Sequence, residues 1–183
     1  MIGDRRQANR VVEGAQGLDF EALFGLYYPK LYSYVRYRVD SLQEAEDLTA
    51  LAFERALTHR ASYDPTKGAF STWLFRIARN AIINHQAQHS RRGTAIDLEE
   101  IANLPVETQS PEEAVIHKEV SQSLLQQVSA LSPRDQDILA LKFAGRLTNR
   151  EIAETLELNE KTVSVILLRS LRKLRERIEE THG

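Results

Sequence analysis

The chain has 183 residues and no cysteine, which removes disulfides, cysteine-based zinc sites and thiol nucleophiles from consideration. It has few of the residues that break helices, with 5 prolines and 8 glycines, and no stretch keeps the period-two alternation of a strand. The expected fold class is therefore all-α. There is no Gly-rich phosphate loop and no Gly-x-Ser-x-Gly elbow, so the common phosphoryl- and acyl-transfer sites are missing. No apolar run is long enough to span a bilayer, and the N-terminal MIGDRRQANR lacks the apolar core of a signal peptide. The expectation is a cytoplasmic protein that is not an enzyme and carries no cofactor or metal.

Net charge is only −2, but the charge is segregated. Residues 1–92 hold 13 Lys and Arg against 10 Asp and Glu, residues 93–124 hold 1 against 7, and residues 125–183 hold 10 against 9. Two mildly basic ends thus flank an acidic middle. A mean charge near zero does not argue against a polyanion partner, because local faces decide such contacts.

The punctuation of the chain divides it into parts. Residues 1–17 read as a flexible tail and 93–111 as an acidic linker. The two helical domains are 18–92 and 112–183. In the first, Asp19 can cap a helix whose apolar side includes Phe20, Leu23, Phe24, Tyr27, Leu31, Tyr34 and Val35, with a kink or restart expected at Pro29. Ser41 and Glu44 form a capping box ahead of Leu48, Leu51, Ala52, Phe53 and Leu57. SYDPTKGAF, residues 62–70, is a loop, after which Ser71 or Thr72 caps a long helix ending near Arg92. In the second domain, Ser110-Pro111 and Ser132-Pro133 each place a cap before a proline at the first helical position.

The most specific pattern is TNREIAETLELNEKTVSVILLRSLRKLRER, residues 148–177. Thr148 and Glu151 form a capping box, Leu158 fills a turn, and Asn159 caps a second helix carrying Val163, Leu167, Leu171, Leu174 and Ile178. A helical hairpin that merely packs has similar features. The offsets of cap, turn and cap instead suit a helix-turn-helix that offers its second helix to the DNA major groove.

A second constellation lies between Tyr63 and Arg92. Tyr63, Lys67, Phe70 and Trp73 precede a helix side with Arg76, Arg79, Asn80, Asn84, His85, Gln88, His89, Arg91 and Arg92. Cations beside aromatic rings suit single-stranded nucleic acid, whose bases stack while its backbone is neutralised. Phe70 and Trp73 would serve equally well in a core. His85 and His89 stand at i and i+4, but no third ligand or acidic partner accompanies them in the pattern, so no metal site is expected. The helix from Ser41 to Leu57 joins an apolar stripe to Glu44, Glu46, Asp47 and Glu54, either a solvated surface or a docking face for a basic partner.

Taken in order, FEALFGLYYPKLYSYVRYRV, EAEDLTALAFERAL and FSTWLFRIARNAIINH resemble the N-terminal domain of bacterial RNA polymerase sigma factors. LSPRDQDILALKFAGRLTNREIAETLELNEKTV resembles their C-terminal domain. Two domains and a short linker resemble the extracytoplasmic-function (ECF, group IV) type, and the likeness covers about nine-tenths of the chain.

The resemblance implies a non-catalytic factor that binds core RNA polymerase and promoter DNA, with an anti-sigma factor as a further partner and no membrane contact. Residues 18–92 become a sigma region 2 domain and 112–183 a sigma region 4 domain. Glu46, Asp47, Leu51, Glu54 and Arg55 fall where the family meets the clamp helices of the largest catalytic subunit. Tyr63, Lys67, Phe70, Trp73, Arg76, Arg79, Asn80 and Asn84 fall where it captures the melted −10 element. Arg150, Glu160, Lys161, Thr162, Ser164, Val165, Leu168, Arg169 and Arg172 fall on the −35 reader, whose surroundings also hold the flap of the second-largest subunit.

Several positions depart from the family pattern. Ala50-Leu51 replaces Gln-Glu after Asp47, Glu157 stands where the turn commonly has glycine, and Ser164, Ile166 and Leu168 stand where Lys, Arg or His are common. Ser164, Val165, Leu168, Arg169, Arg172 and Arg175 project outward on the second helix, so its first turns suit thymine methyls more than guanine edges. A stand-alone helix-turn-helix regulator and an adaptor that binds an anti-sigma factor are the competing readings.

Overall fold

The computed structural model describes residues 19–39, 41–89, 124 and 126–182. The tail 1–17, the linker 93–111 and the cap at Ser110-Pro111 lie outside the described residues. Among the described residues every regular element is helical: α1 (Phe20–Arg36), α2 (Leu42–Thr58), a short 3₁₀ turn (Arg60–Ser62), α3 (Phe70–His89), α4 (Pro133–Leu139), a π turn (Ala140–Ala144), α5 (Asn149–Leu156) and α6 (Glu160–His182).

The local signals behave as their chemistry requires. Asp19 accepts from Ala22 N at 3.1 Å, and Ser41 with Glu44 closes a capping box. Ser132 accepts from Asp135 N at 3.2 Å, with Pro133 at the start of α4. Pro29 does not restart α1, which runs on to Arg36. Pro29 and Gly25 both face solvent, so the carbonyl deprived of its proline donor is open to water. The expected cap at Ser71 or Thr72 is also corrected, since α3 begins at Phe70 and both hydroxyls lie inside it, buried.

α1, α2 and α3 pack on one another. Leu23, Leu31, Tyr34, Leu48, Phe53, Leu74, Phe75 and Ile82 fill the space between them. Phe24 remains 46% exposed and lies against the ring of Phe53, 4.7 Å between centroids.

In the second half α4, α5 and α6 enclose Ile138, Leu141, Ile152, Val163, Ile166, Leu167 and Leu174. The apolar stripe of α6 differs from the expected one. Ile166 is buried at 6%, whereas Leu171 is 43% exposed and Ser170 lies fully inside.

The two halves also pack on each other. α3 lies against α5, and α1 against the π turn. Where the chain turns past Phe75 of α3, a Cβ added to Gly145 would come within 2.8 Å of the Phe75 ring, so this position requires a residue without a side chain.

Candidate nucleic-acid interface

The helix-turn-helix is built from α5 and α6. Thr148 accepts from Glu151 N at 3.2 Å, and its own backbone N–H donates to Glu151 Oε2 at 2.9 Å. This reciprocal cap fixes where α5 starts. Its end is fixed by Glu157, which adopts a left-handed conformation at φ 56° and ψ 45°. The Leu158 N–H then donates back to Ala153 O at 2.8 Å. Asn159 accepts from Lys161 N at 2.8 Å as α6 begins. A chain of side chains ties the unit together: Lys142 donates to Asn149 at 2.8 Å, and Asn149 to Ser164 at 3.0 Å.

On the outward side of α6, Glu160, Lys161, Ser164, Val165, Leu168, Arg169 and Arg172 are exposed and Thr162 is half-buried. Val165 and Leu168 are the most open, at 64% and 63%. Ile166 does not share this face. Arg169 is tethered, its Nη2 reaching both oxygens of the buried Asp135 at 3.1 and 3.2 Å. Its guanidinium therefore braces α6 against α4 as well as facing outward. Arg150 donates to Glu154 at 2.9 Å.

The basic-aromatic constellation divides. Phe70 is only 2% exposed, and its ring meets Phe20, Tyr27, Tyr63 and Trp73 at centroid distances of 5.5 to 6.2 Å. It is a core residue and offers no face to a base, which corrects its expected place in a DNA site. Tyr63 is half-buried in the same cluster and donates to Gly68 O at 3.2 Å; burial raises its pKa, with the Asp64 carboxylate adding to the shift. Trp73 keeps part of its ring accessible. Lys67 lies at the tip of the loop, 3.6 Å from Asp64. Asp64 shapes that loop by accepting from the Thr66 hydroxyl at 2.6 Å and from Thr66 N at 2.9 Å. Asn80 and Asn84 are exposed on α3.

Arg76 and Arg79 are engaged by the other half of the chain. Arg79 Nε donates to Asp137 Oδ2 at 2.6 Å. Arg76 Nε donates to the Glu154 carbonyl at 3.1 Å, and its Nη2 reaches the same oxygen. Ser71 donates to Glu151 at 2.7 Å and Thr72 to Glu154 at 3.2 Å. The other oxygen of Asp137 accepts from the Tyr34 hydroxyl at 2.7 Å, with Arg38 Nε 3.8 Å away. Burial, then the Asp137 charge and hydrogen bond, hold the Tyr34 pKa well above its ordinary value. These contacts were not legible in the sequence, because their partners lie 58 to 103 residues apart.

On α2, Glu46, Asp47 and Glu54 are exposed, while Leu51 and Arg55 are half-buried. Gln43 donates to Asp47 at 2.9 Å. Tyr28 and Tyr32 stack nearby at 6.1 Å, and desolvation followed by the charge of Glu46 raises the Tyr32 pKa. His85 does have an acidic neighbour, Glu44 Oε1 at 3.4 Å from Nε2, which the sequence pattern concealed. No group of three or more potential metal ligands occurs among the described residues. No described helix is long and apolar enough to cross a membrane.

Comparison with known proteins follows the same division. Residues 23–92 match the model of Sigma-70 region 2, and residues 121–174 match that of Sigma-70, region 4. The chain is 30% identical over 174 residues to the ECF RNA polymerase sigma factor BldN of Streptomyces coelicolor, covering 93% of this chain and 66% of BldN. It is 27% identical over 184 residues to the ECF RNA polymerase sigma factor SigW of Bacillus subtilis, covering 96% of this chain and 97% of SigW. The fold resembles that of the sigma factor RpoE from Bartonella quintana, solved with the anti-sigma factor NepR. There the TM-score is 0.70 at 20% identity, over 88% of this chain and 97% of that one. The chain belongs to the extracytoplasmic-function family of RNA polymerase sigma factors.

Proposed function

We propose that this chain binds core RNA polymerase in the cytoplasm, directs it to promoters through −10 and −35 elements, and captures the melted non-template strand. The observation that carries this reading is the order of parts: a region 2 match and a region 4 match in one chain, the latter including a capped helix-turn-helix. The chain supplies no chemistry of its own, and phosphodiester synthesis belongs to the polymerase.

Glu46, Asp47 and Glu54 form an exposed acidic rim beside half-buried Leu51 and Arg55, suited to the clamp helices of the largest subunit. Lys67, Trp73, Arg76, Arg79, Asn80 and Asn84 form the strand-capturing face, with Tyr63 supporting the ring of Trp73 at 5.3 Å. Separating strands costs on the order of 1 to 2 kcal/mol per base-pair step. Stacking an extruded base returns about 1 to 3 kcal/mol, so one or two captured bases offset several broken steps only in part. The remainder falls to backbone contacts and to the polymerase.

At the −35 element, Lys161, Arg169, Arg172 and Arg150 supply phosphate contacts while Thr162, Ser164, Val165 and Leu168 face base edges. Glu160 adds an acceptor at the start of α6. Val165 and Leu168 favour thymine methyls over guanine. The exposed apolar side chains around the helix-turn-helix also suit the flap of the second-largest subunit or an anti-sigma factor.

Co-purification with core polymerase tests the reading. The chain should elute with core enzyme and bind promoter duplex poorly alone. Tight, specific duplex binding together with indifference to core polymerase would identify a stand-alone regulator instead.

A further inference from the structure

Ser164 stands on the outward side of α6, where its hydroxyl meets whatever base edge the helix is offered. A free serine hydroxyl discriminates poorly in the major groove, because it rotates to donate or to accept as the base requires. Here the hydroxyl is not free. It donates to Glu160 O one turn back at 3.1 Å and accepts from Asn149 Nδ2 at 3.0 Å. Asn149 in turn accepts at Oδ1 from the Lys142 ammonium at 2.8 Å.

The two ends of this chain set its direction. An ammonium can only donate and a peptide carbonyl can only accept, so the Asn149 amide turns Oδ1 to Lys142 and Nδ2 to Ser164. The Ser164 proton is then committed to Glu160 O. Of the two lone pairs on Oγ, Asn149 fills one, and the other is left at an exposed position. Three elements hold the arrangement: Lys142 lies in the π turn, Asn149 opens α5 and Ser164 belongs to α6. The reciprocal cap at Thr148 fixes the start of α5, and with it the place where the amide meets α6.

We propose that Lys142 and Asn149 make Ser164 an acceptor-only reader, which selects a base bearing an exocyclic amino group in the −35 element. The inference rests on the −35 role assigned to α6. In the major groove adenine N6 and cytosine N4 present donors, whereas guanine N7 and O6 and thymine O4 present acceptors. An acceptor facing Ser164 sets lone pair against lone pair, or draws the proton away from Glu160 O and breaks that bond. Val165 and Leu168 lie on the same side, 64% and 63% exposed. An A·T pair places a thymine methyl next to the adenine amino group, so these apolar neighbours rank adenine ahead of cytosine. Asn149 is a positioning residue. Without it the Ser164 side chain is free to turn to another rotamer and present either polarity.

Counting transcripts from a promoter library tests this. The template is a promoter from which the full chain with core polymerase initiates in vitro, its −35 element randomised and its −10 element fixed. Ser164→Ala marks the position that Ser164 reads, as the one whose base preference flattens. There the wild-type chain should favour adenine and cytosine over guanine and thymine by about three- to tenfold, adenine first. Asn149→Ala should bring that ratio to within about twofold of unity, while preferences elsewhere in the element stay as in the wild type. A purely structural role for Asn149 would instead lower initiation at every sequence alike. A wild-type preference for guanine or thymine, no position that responds to Ser164→Ala, or an unchanged preference in Asn149→Ala would overturn the inference and leave the sigma-factor reading intact. Failure of the wild-type chain to initiate from any promoter would overturn that reading and this inference with it.

Discussion

Arg79 Nε lies 2.6 Å from Asp137 Oδ2, across the boundary between the region 2 and region 4 halves. Tyr34 occupies the other oxygen of the same carboxylate at 2.7 Å. One buried aspartate thus joins α1, α3 and α4.

Tyr34→Phe removes a buried donor from Asp137 and should destabilise the chain by about 1 to 2 kcal/mol in urea titration. The effect should depend on pH. The folded-state pKa of Tyr34 is raised by burial and by Asp137, so the unfolded chain releases this proton first as pH rises past the ordinary value of 10.0. The Tyr34 contribution is complete below that pH and declines above it. Wild-type stability should therefore fall more steeply than that of the Phe variant at alkaline pH; parallel curves would contradict the assignment.

Glu157→Gly should raise stability. A non-glycine residue at φ 56° bears a left-handed penalty of about 1 to 2 kcal/mol, from which the greater freedom of unfolded glycine must be subtracted. A net gain of about 0.5 to 1 kcal/mol corresponds to a rise of about 1 to 4 °C in thermal midpoint, readable by calorimetry.

The turn illustrates what local sequence encodes. Capping boxes at Ser41 and Thr148 and the caps at Asp19, Ser132 and Asn159 were legible because each depends on residues two or three positions apart. Phe70 was ambiguous for a physical reason: a ring next to cations looks the same in sequence whether it faces DNA or a core. Leu171 lies 43% exposed and Ser170 fully buried because an apolar repeat phases a helix only approximately, and a small side chain fits where helices pack closely. The grip of Asp137 and Glu154 on α3 was invisible, since a basic helix face reads identically when it is paired within the chain.

Glu151→Ala should cost more than Thr148→Ala. Both abolish the capping box, worth about 1 to 2 kcal/mol. Only the former also strands the buried Ser71 hydroxyl, which donates to Glu151 at 2.7 Å. The difference should be about 1 kcal/mol in denaturant midpoints, and equal losses would mean that the interdomain bond carries no weight.

Lys161→Ala and Arg172→Ala should each reduce the salt slope of promoter binding by the chain in complex with core polymerase by roughly 1, uniformly across sequences, as expected for phosphate contacts. Arg169→Ala should behave differently. It also leaves buried Asp135 without its partner, so its binding loss should come with a lower thermal midpoint. An Arg169 variant of wild-type stability would contradict the bracing role.

The central claim concerns promoter-directed initiation, and transcription by core polymerase on a fragmented genomic library, with start sites mapped, tests it most directly. The account predicts discrete start sites that appear only when this chain is added, preceded by shared −10 and −35 sequences. An unchanged pattern of start sites with and without the chain, under conditions where it is folded, would contradict it.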